Sequence, residues 1–116
     1  MLLKDLSMNQ LVDTPNGTVS PAIFSHPDIY EQELEQIFAR AWLFIGHESQ
    51  VPNPGDFMMS RMGEEEVILV HDRKDKLHVF LNTCRHRGMK VCRYDEGNNL
   101  VFTCPYHAWT YDTKGK

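Results

Sequence analysis

The spacing of apolar positions changes near residue 41 from a helical to a strand-like pattern. Between residues 25 and 42 apolar side chains recur three or four positions apart, which predicts a helix with one apolar packing face. They are Tyr30, Leu34, Ile37, Phe38, Ala41 and Trp42. Ser25 and Asp28 resemble a capping box, and Pro27 suits a first helical turn. Residues 1–24 predict an extended arm with one short helix and a turn at residues 14–17.

Six short apolar runs follow, separated by segments rich in Pro, Gly, Asn and Asp. We expect strands at residues 42–45, 57–62, 67–70, 77–81, 100–104 and 107–111. We expect turns at residues 52–56, 63–64, 72–76 and 96–98. Closely spaced short strands predict a mainly β fold, a small antiparallel sandwich or barrel preceded by the helix.

The same change of pattern suggests a division into two parts. Residues 1–41 form the N-terminal arm and packing helix, and residues 42–116 form the β domain. The last predicted turn, at residues 112–116, has no returning strand. An unpaired last strand is an exposed edge, so we expect a domain that is truncated at its C-terminal end.

Composition narrows the class of protein. The chain has 116 residues and a net charge of −4, which argues against nucleic acid as a partner. No apolar run reaches the roughly 18–20 residues of a membrane span, and no secretory signal begins the chain, so we expect a cytoplasmic protein without membrane contact. All three cysteines and four of the six histidines lie after residue 70. An odd cysteine count in a cytosolic chain favours metal or redox chemistry over disulfides.

Two short pairs of potential metal ligands stand out. Cys84 and His86 form one pair, and Cys104 and His107 form the other, each after a predicted strand. Two thiolates and two imidazoles could bind one tetrahedral zinc ion. They could equally bind a [2Fe–2S] cluster, with both cysteines on one iron and both histidines on the other. Zinc sites of this composition usually group the cysteines together, so the mixed pairs favour the cluster.

The chain resembles the Rieske family, and more narrowly the N-terminal part of the large (α) subunit of bacterial aromatic-ring-hydroxylating dioxygenases. The resemblance runs from about residue 20 to the end. It rests on residues 37–42 (IFARAW), 46–49 (GHES), 54–56 (PGD), 82–88 (NTCRHRG) and 104–109 (CPYHAW). One departure is Ala108, where the family usually has glycine.

The resemblance implies a Rieske [2Fe–2S] cluster held by Cys84, His86, Cys104 and His107. In the family the cluster takes electrons, derived from NAD(P)H, from a ferredoxin or reductase. It passes them to a mononuclear Fe(II) that reacts with O2 and converts an aromatic compound to a cis-dihydrodiol. The α subunits form trimers, commonly with β subunits, so that the cluster of one subunit lies near the iron of its neighbour. No catalytic residue of that iron site is expected within this chain. The alternative is a free-standing Rieske ferredoxin that only carries electrons.

Further residues near the ligands are candidates for supporting roles. Arg87, Gly88, Tyr106 and Trp109 would lie beside the ligands or at the electron-transfer junction, with both aromatic residues near His107. A basic group could dock an acidic redox partner, although a solvated face is the alternative; it comprises Arg85, Lys90 and Arg93. We interpret the remaining candidates as structural: Cys92, His47, His71 and His78.

The resemblance also bears on the reduction potential. Respiratory Rieske proteins carry a disulfide across the loops and a serine that donates to a sulfide. Met89 and Tyr106 stand at the disulfide positions and Trp109 at the serine position. We therefore expect a potential near the low end of the Rieske range, about −150 mV.

Overall fold

The computed structural model describes residues 7–116. The chain divides into two compact units, the first ending at Trp42 and the second spanning Leu43–Lys116. Among the described residues no helix is long and apolar enough to cross a membrane.

The first unit contains short helices and one hairpin. Helix α1 (Met8–Leu11) leads into strands β1 (Val12–Asp13) and β2 (Thr18–Val19), which pair antiparallel around the predicted turn. A 3-10 helix (Pro21–Phe24) precedes α2 (Pro27–Glu33). The short early helix and the turn of the arm are therefore both present.

The main helix of this unit differs from its prediction at both ends. His26, not Ser25, is the N-cap, and its ring nitrogen accepts a hydrogen bond from the backbone N–H of Asp28. After α2 the chain forms a π-helical turn (Leu34–Phe38), closed by a bond from Ala39 N–H to the Leu34 carbonyl. The wider turn breaks the 3.6-residue period, so the helix does not continue to residue 42. None of its residues is buried.

The predicted strand at residues 42–45 is absent, because this segment pairs with no strand. It leads to Gly46, whose backbone lies so close to the sheet that a Cβ would stand 2.9 Å from Leu69 Cδ2. A 3-10 helix (Glu48–Gln50) follows, capped by the side chain of His47.

The second unit is built on a four-stranded antiparallel sheet in the order β5-β4-β3-β6. Strands β3 (Asp56–Met62), β4 (Glu65–His71) and β5 (Leu77–Leu81) match three predicted strands. Strand β4 is buried at four consecutive positions, Val67 to Val70, and Phe57 of β3 lies opposite Val70 in their register. The mainly β, antiparallel prediction is confirmed.

Strand β6 (Glu96–Asn98) corrects a predicted turn. These residues pair with the start of β3, with Gly97 directly opposite Phe57. A Cβ at Gly97 would lie 3.0 Å from two carbons of the Phe57 ring. Glycine here makes room for an aromatic ring across the sheet rather than forming a turn.

Two turns of the second unit share one construction. In each, an aspartate accepts hydrogen bonds from the backbone N–H groups two and four residues further on, at 2.7 and 3.0 Å for Asp72 and at 2.9 and 3.0 Å for Asp112. Asp72 is buried and also accepts from His78 Nε2 at 2.9 Å. The His78 contact, with the backbone donors, holds the pKa of Asp72 well below its usual range. For Asp112 the backbone donors are the main cause of a lowered pKa, and the charges of Lys114 and Lys116 add to it.

A separate hairpin carries the end of the chain. Strands β7 (Val101–Thr103) and β8 (Thr110–Asp112) pair antiparallel and match the last two predicted strands in position. Phe102 of β7 packs edge-to-face on Phe57 and Phe80, with ring centroids 5.3 and 5.9 Å apart. The hairpin thereby joins the core of the sheet, which also includes all three cysteines.

Candidate metal centre

Two loops carry the four predicted ligands, and their backbones match. Loop 1 comprises residues 84–89, and loop 2 comprises residues 104–109. In both, the cysteine carbonyl accepts from the N–H four residues on, at 2.8 Å in loop 1 and 2.9 Å in loop 2. In both, the cysteine N–H donates to the carbonyl five residues on, at 2.8 Å. The loops are therefore held by their own backbones, which presents each ligand pair on a tight turn.

Each loop closes through a residue with positive φ at its fifth position. Gly88 has φ 75° and Ala108 has φ 61°. Left-handed backbone is open to glycine but costs an L-residue with a Cβ about 1–2 kcal/mol. The alanine that departs from the family pattern thus occupies a position whose conformation favours glycine, and the loop keeps its shape in spite of it.

The four ligand candidates form two pairs. Cys84 and Cys104 are each 2% exposed and belong to the core cluster. The rings of His86 and His107 lie at the surface, with centroids 4.8 Å apart. Within residues 7–116, no three His, Cys, Asp or Glu side chains converge as a site for one metal ion. An inner thiol pair and an outer imidazole pair fit a [2Fe–2S] cluster with one pair on each iron.

Tyr111 is a residue near the ligands that the sequence analysis missed. Its hydroxyl lies 3.2 Å from Cys84 Sγ and accepts a hydrogen bond from the Arg85 N–H at 3.1 Å. The contact with Tyr111 lowers the pKa of the Cys84 thiol, assisted by the backbone N–H groups that follow it, while burial acts in the opposite direction. The same contact raises the pKa of Tyr111. In the sequence, the feature that could have pointed to Tyr111 was its position at the end of the last predicted strand; in the structure it lies on β8 opposite the core residue Phe102.

Asn82 is a second residue whose role the sequence analysis missed. It is buried, and its Oδ1 accepts from the N–H groups of Val91 and Cys92 at 3.1 and 2.8 Å. Its Nδ2 donates to the Cys92 carbonyl at 2.7 Å. The Asn82 side chain thus connects the residues just before loop 1 to Val91 and Cys92, which follow the loop. A polar residue two positions before a ligand was the signal available.

The aromatic neighbours are divided between the two histidines. Tyr106 contacts His107, with ring centroids 4.0 Å apart, and the Arg87 guanidinium lies 5.7 Å from the Tyr106 ring centroid. Trp109 instead stacks on His86 at 4.6 Å with an interplanar angle of 9°. Tyr106 thus contacts His107 directly, whereas Trp109 contacts the neighbouring His86.

The three predicted basic docking residues do not line one cavity. Lys90 and Arg93 line a cavity of about 250 Å³, where Lys90 Nζ lies 2.7 Å from Glu66 Oε1. This ion pair lowers the pKa of Glu66 and compensates the lysine charge. Arg85 lines a different cavity, beside Phe80 and Tyr111.

The residues interpreted as structural have intramolecular partners. His71 Nδ1 lies 2.8 Å from the Val51 carbonyl, and His78 bonds Asp72 as described. His47 Nδ1 accepts from the Ser49 N–H. Cys92 is buried, with its Sγ 3.6 Å from the Tyr94 carbonyl.

Comparison with known proteins identifies the family. The model of the Rieske [2Fe–2S] domain matches residues 41–116. The chain is 51% identical over 111 residues to the biphenyl 2,3-dioxygenase α subunit of Rhodococcus jostii (strain RHA1). This alignment covers 96% of the present chain and 24% of that protein. It is 50% identical to a benzene 1,2-dioxygenase α subunit of Pseudomonas putida over 90% of this chain and 23% of that protein.

The solved structures agree. Naphthalene 1,2-dioxygenase from a Rhodococcus species, bound to indole, superposes with a TM-score of 0.78 at 43% identity, covering 84% of this chain and 22% of that one. The chain thus spans about a quarter of the length of the relatives that it matches. With its two matched loops, its inner thiols and its outer imidazoles, the chain belongs to the Rieske [2Fe–2S] domain family.

Proposed function

We propose that this chain is the electron-transfer part of an aromatic-ring-hydroxylating dioxygenase α subunit. It would receive electrons from a ferredoxin or reductase and pass them to a mononuclear Fe(II) held by residues outside this sequence. Dihydroxylation of an aromatic compound with O2 would take place at that iron. The division into an arm with helix, residues 1–41, and a Rieske domain, residues 42–116, is part of the proposal.

The extent of the similarity carries this proposal. The match to the biphenyl 2,3-dioxygenase α subunit covers 96% of the chain, so it includes most of the segment before residue 41, where the Rieske domain model begins. A free-standing electron carrier needs only the Rieske domain. Similarity of the preceding arm and helix to oxygenase α subunits therefore favours the oxygenase over the carrier.

Within the proposal, Cys84 and Cys104 would hold one iron, and His86 and His107 would hold the other. The bound cluster supplies one-electron chemistry. The thiols lie among apolar core residues, which excludes water from their side of the centre. The imidazoles lie at the surface and can each direct a free ring N–H outward. Electrons would accordingly leave through the histidine side, towards a neighbouring subunit of an α trimer, with or without β subunits.

The proposed docking surface for the electron donor contains two of the three basic residues that the sequence predicted. Lys90 is compensated by Glu66, so Arg85 and Arg93 are the residues left to attract an acidic ferredoxin or reductase. Neither has an ion-pair partner among residues 7–116. Charge reversal at either residue should slow reduction by the donor at low ionic strength, and added salt should remove the difference.

The ligand set can be tested by matched cysteine variants of the full-length protein. Cys104→Ala should lose iron and acid-labile sulfide, whereas Cys92→Ala, at a similarly buried thiol outside the two loops, should keep both. Equal loss in the two variants would contradict the assignment. Zinc without sulfide in the unaltered protein would instead support the single-ion alternative.

The reaction is tested by turnover of biphenyl and benzene with a donor system and NADH. Formation of a cis-dihydrodiol, lost in His107→Ala, is the expected result. A protein with a reducible cluster that forms no product from any aromatic compound would be an electron carrier, and the oxygenase proposal would be wrong.

A further inference from the structure

Trp109 belongs to loop 2, but its side chain covers the histidine of loop 1. The indole and the His86 imidazole are 9° from parallel, with centroids 4.6 Å apart. We infer that Trp109 is a positioning residue that fixes the plane of the His86 ring, and with it the direction of the free ring nitrogen. The inference deepens the proposed function and rests on its assignment of His86 as a ligand.

The backbone of Trp109 is anchored at the centre itself. Its carbonyl accepts the hydrogen bond of the Cys104 N–H at 2.8 Å. Met89 makes the same bond to Cys84 in loop 1, but its side chain packs against the core. At matched backbone positions, the Met89 side chain thus packs against the core, whereas the Trp109 side chain contacts the opposite loop.

The two imidazoles consequently have different surroundings. The His86 ring has the parallel indole on one face and meets the His107 ring at 70°. The His107 ring has Tyr106 at 49°, a tilted contact that does not define its plane in the same way. Offset parallel stacking is a preferred arrangement of aromatic rings, so the indole restricts rotation of His86 about its side-chain bonds.

Ring orientation matters because a histidine bound to metal through one nitrogen presents the other in a direction set by its plane. Trp109 is 48% exposed, so the stack lies at the surface, where the histidine side would face an acceptor. Through this contact loop 2 would determine how the ligand of loop 1 faces that acceptor.

Pulsed electron paramagnetic resonance of the reduced, cluster-loaded full-length protein tests the inference, because it measures the couplings of the ligand nitrogens separately. Trp109→Leu keeps apolar bulk but removes the stack, and should shift and broaden the coupling of one nitrogen only. Trp109→Phe keeps a ring that can stack and should retain the couplings of the unaltered protein. Tyr106→Leu is the matched control: because the tilted Tyr106 contact does not fix the plane of His107, this variant should retain both nitrogen couplings.

The outcomes separate the possible roles of Trp109. Unchanged couplings in Trp109→Leu at full iron and sulfide content would overturn the inference, as would an equal shift of both nitrogens, which would indicate general loop disorder. If Trp109→Leu fails to load its cluster, Trp109→Met provides the same comparison. Absence of two nitrogen couplings in the unaltered protein would contradict the proposed ligand set, a different failure.

Discussion

Replacing Ala108 by glycine should strengthen loop 2. Ala108 has φ 61°, and its N–H closes the loop by donating to the Cys104 carbonyl at 2.9 Å. Left-handed backbone costs alanine about 1–2 kcal/mol, which glycine avoids. Glycine's greater freedom in the unfolded chain offsets about 0.4–1 kcal/mol of that relief. Ala108→Gly should therefore stabilise the closed loop by about 0.5–1 kcal/mol.

The assay is hydrogen exchange of the cluster-loaded protein, read on a peptide that contains residue 108. The expected gain corresponds to roughly two- to fivefold slower opening of that N–H, after correction for the intrinsic exchange rates of alanine and glycine. Exchange in loop 1 should not change. This internal comparison separates a local effect from a general change in stability.

Gly88→Ala is the reciprocal variant. A Cβ at Gly88 would meet no atom within 4 Å, so the cost of the change comes from the backbone alone. Exchange in loop 1 should become faster by about the same factor. If Ala108→Gly accelerated exchange, or Gly88→Ala left it unchanged, left-handed strain would not be what distinguishes the two loops.

Three further predictions concern residues around the centre and its supporting turn. Tyr111→Phe removes the hydroxyl beside Cys84 Sγ. Because hydrogen bonds to ligand sulfur favour the reduced centre, redox titration should show a reduction potential lower by on the order of tens of millivolts. The control Tyr94→Phe, at an exposed tyrosine, should leave the potential unchanged. Asn82→Ala removes the hydrogen bonds that the Asn82 side chain makes to the backbone of Val91 and Cys92. Denaturant titration should show a free energy of unfolding lower by about 2–4 kcal/mol. The control Asn99→Ala should change this free energy by less than about 0.5 kcal/mol. Asp72→Asn should lower stability at neutral pH, because a carboxyl whose pKa is depressed in the folded state stabilises it above its unfolded pKa. The deficit should be present at neutral pH and shrink below about pH 4, where the carboxyl of the unfolded wild-type chain takes up its proton; a deficit that grows on lowering the pH from about 4 to about 2 would contradict this sign.

Local patterns were sufficient for the elements that depend on local residues. The apolar runs of β4 and β5 and the two ligand motifs were readable from the chain, because burial of a strand and ligand spacing both leave a short-range signature. The left-handed position of Ala108 was not readable, since alanine ordinarily signals helix. Only the family pattern of glycine at this position hinted at it.

Long-range contacts account for what the sequence did not show. Gly97 looks like a turn residue until the Phe57 ring is placed across the sheet from it. Lys90 looks like a free docking charge until the fold brings Glu66 to 2.7 Å. The prediction of a low potential rests on the missing disulfide and the missing serine. Tyr111 supplies a hydroxyl to Cys84 from a different place and acts in the opposite direction, and redox titration tests the balance. In each case the deciding partner is remote in sequence.

The cysteines of both loops belong to the same apolar cluster as Phe57, Ile68 and Phe102. An iron–sulfur centre bound by these cysteines would therefore assemble against the core residues that give the unit its shape, and not on a surface that is already folded. Ligand binding of this kind contributes its free energy directly to folding. Iron supply would then govern how much of the protein survives proteolysis, and the abundance of the folded chain would follow cellular iron as well as gene expression.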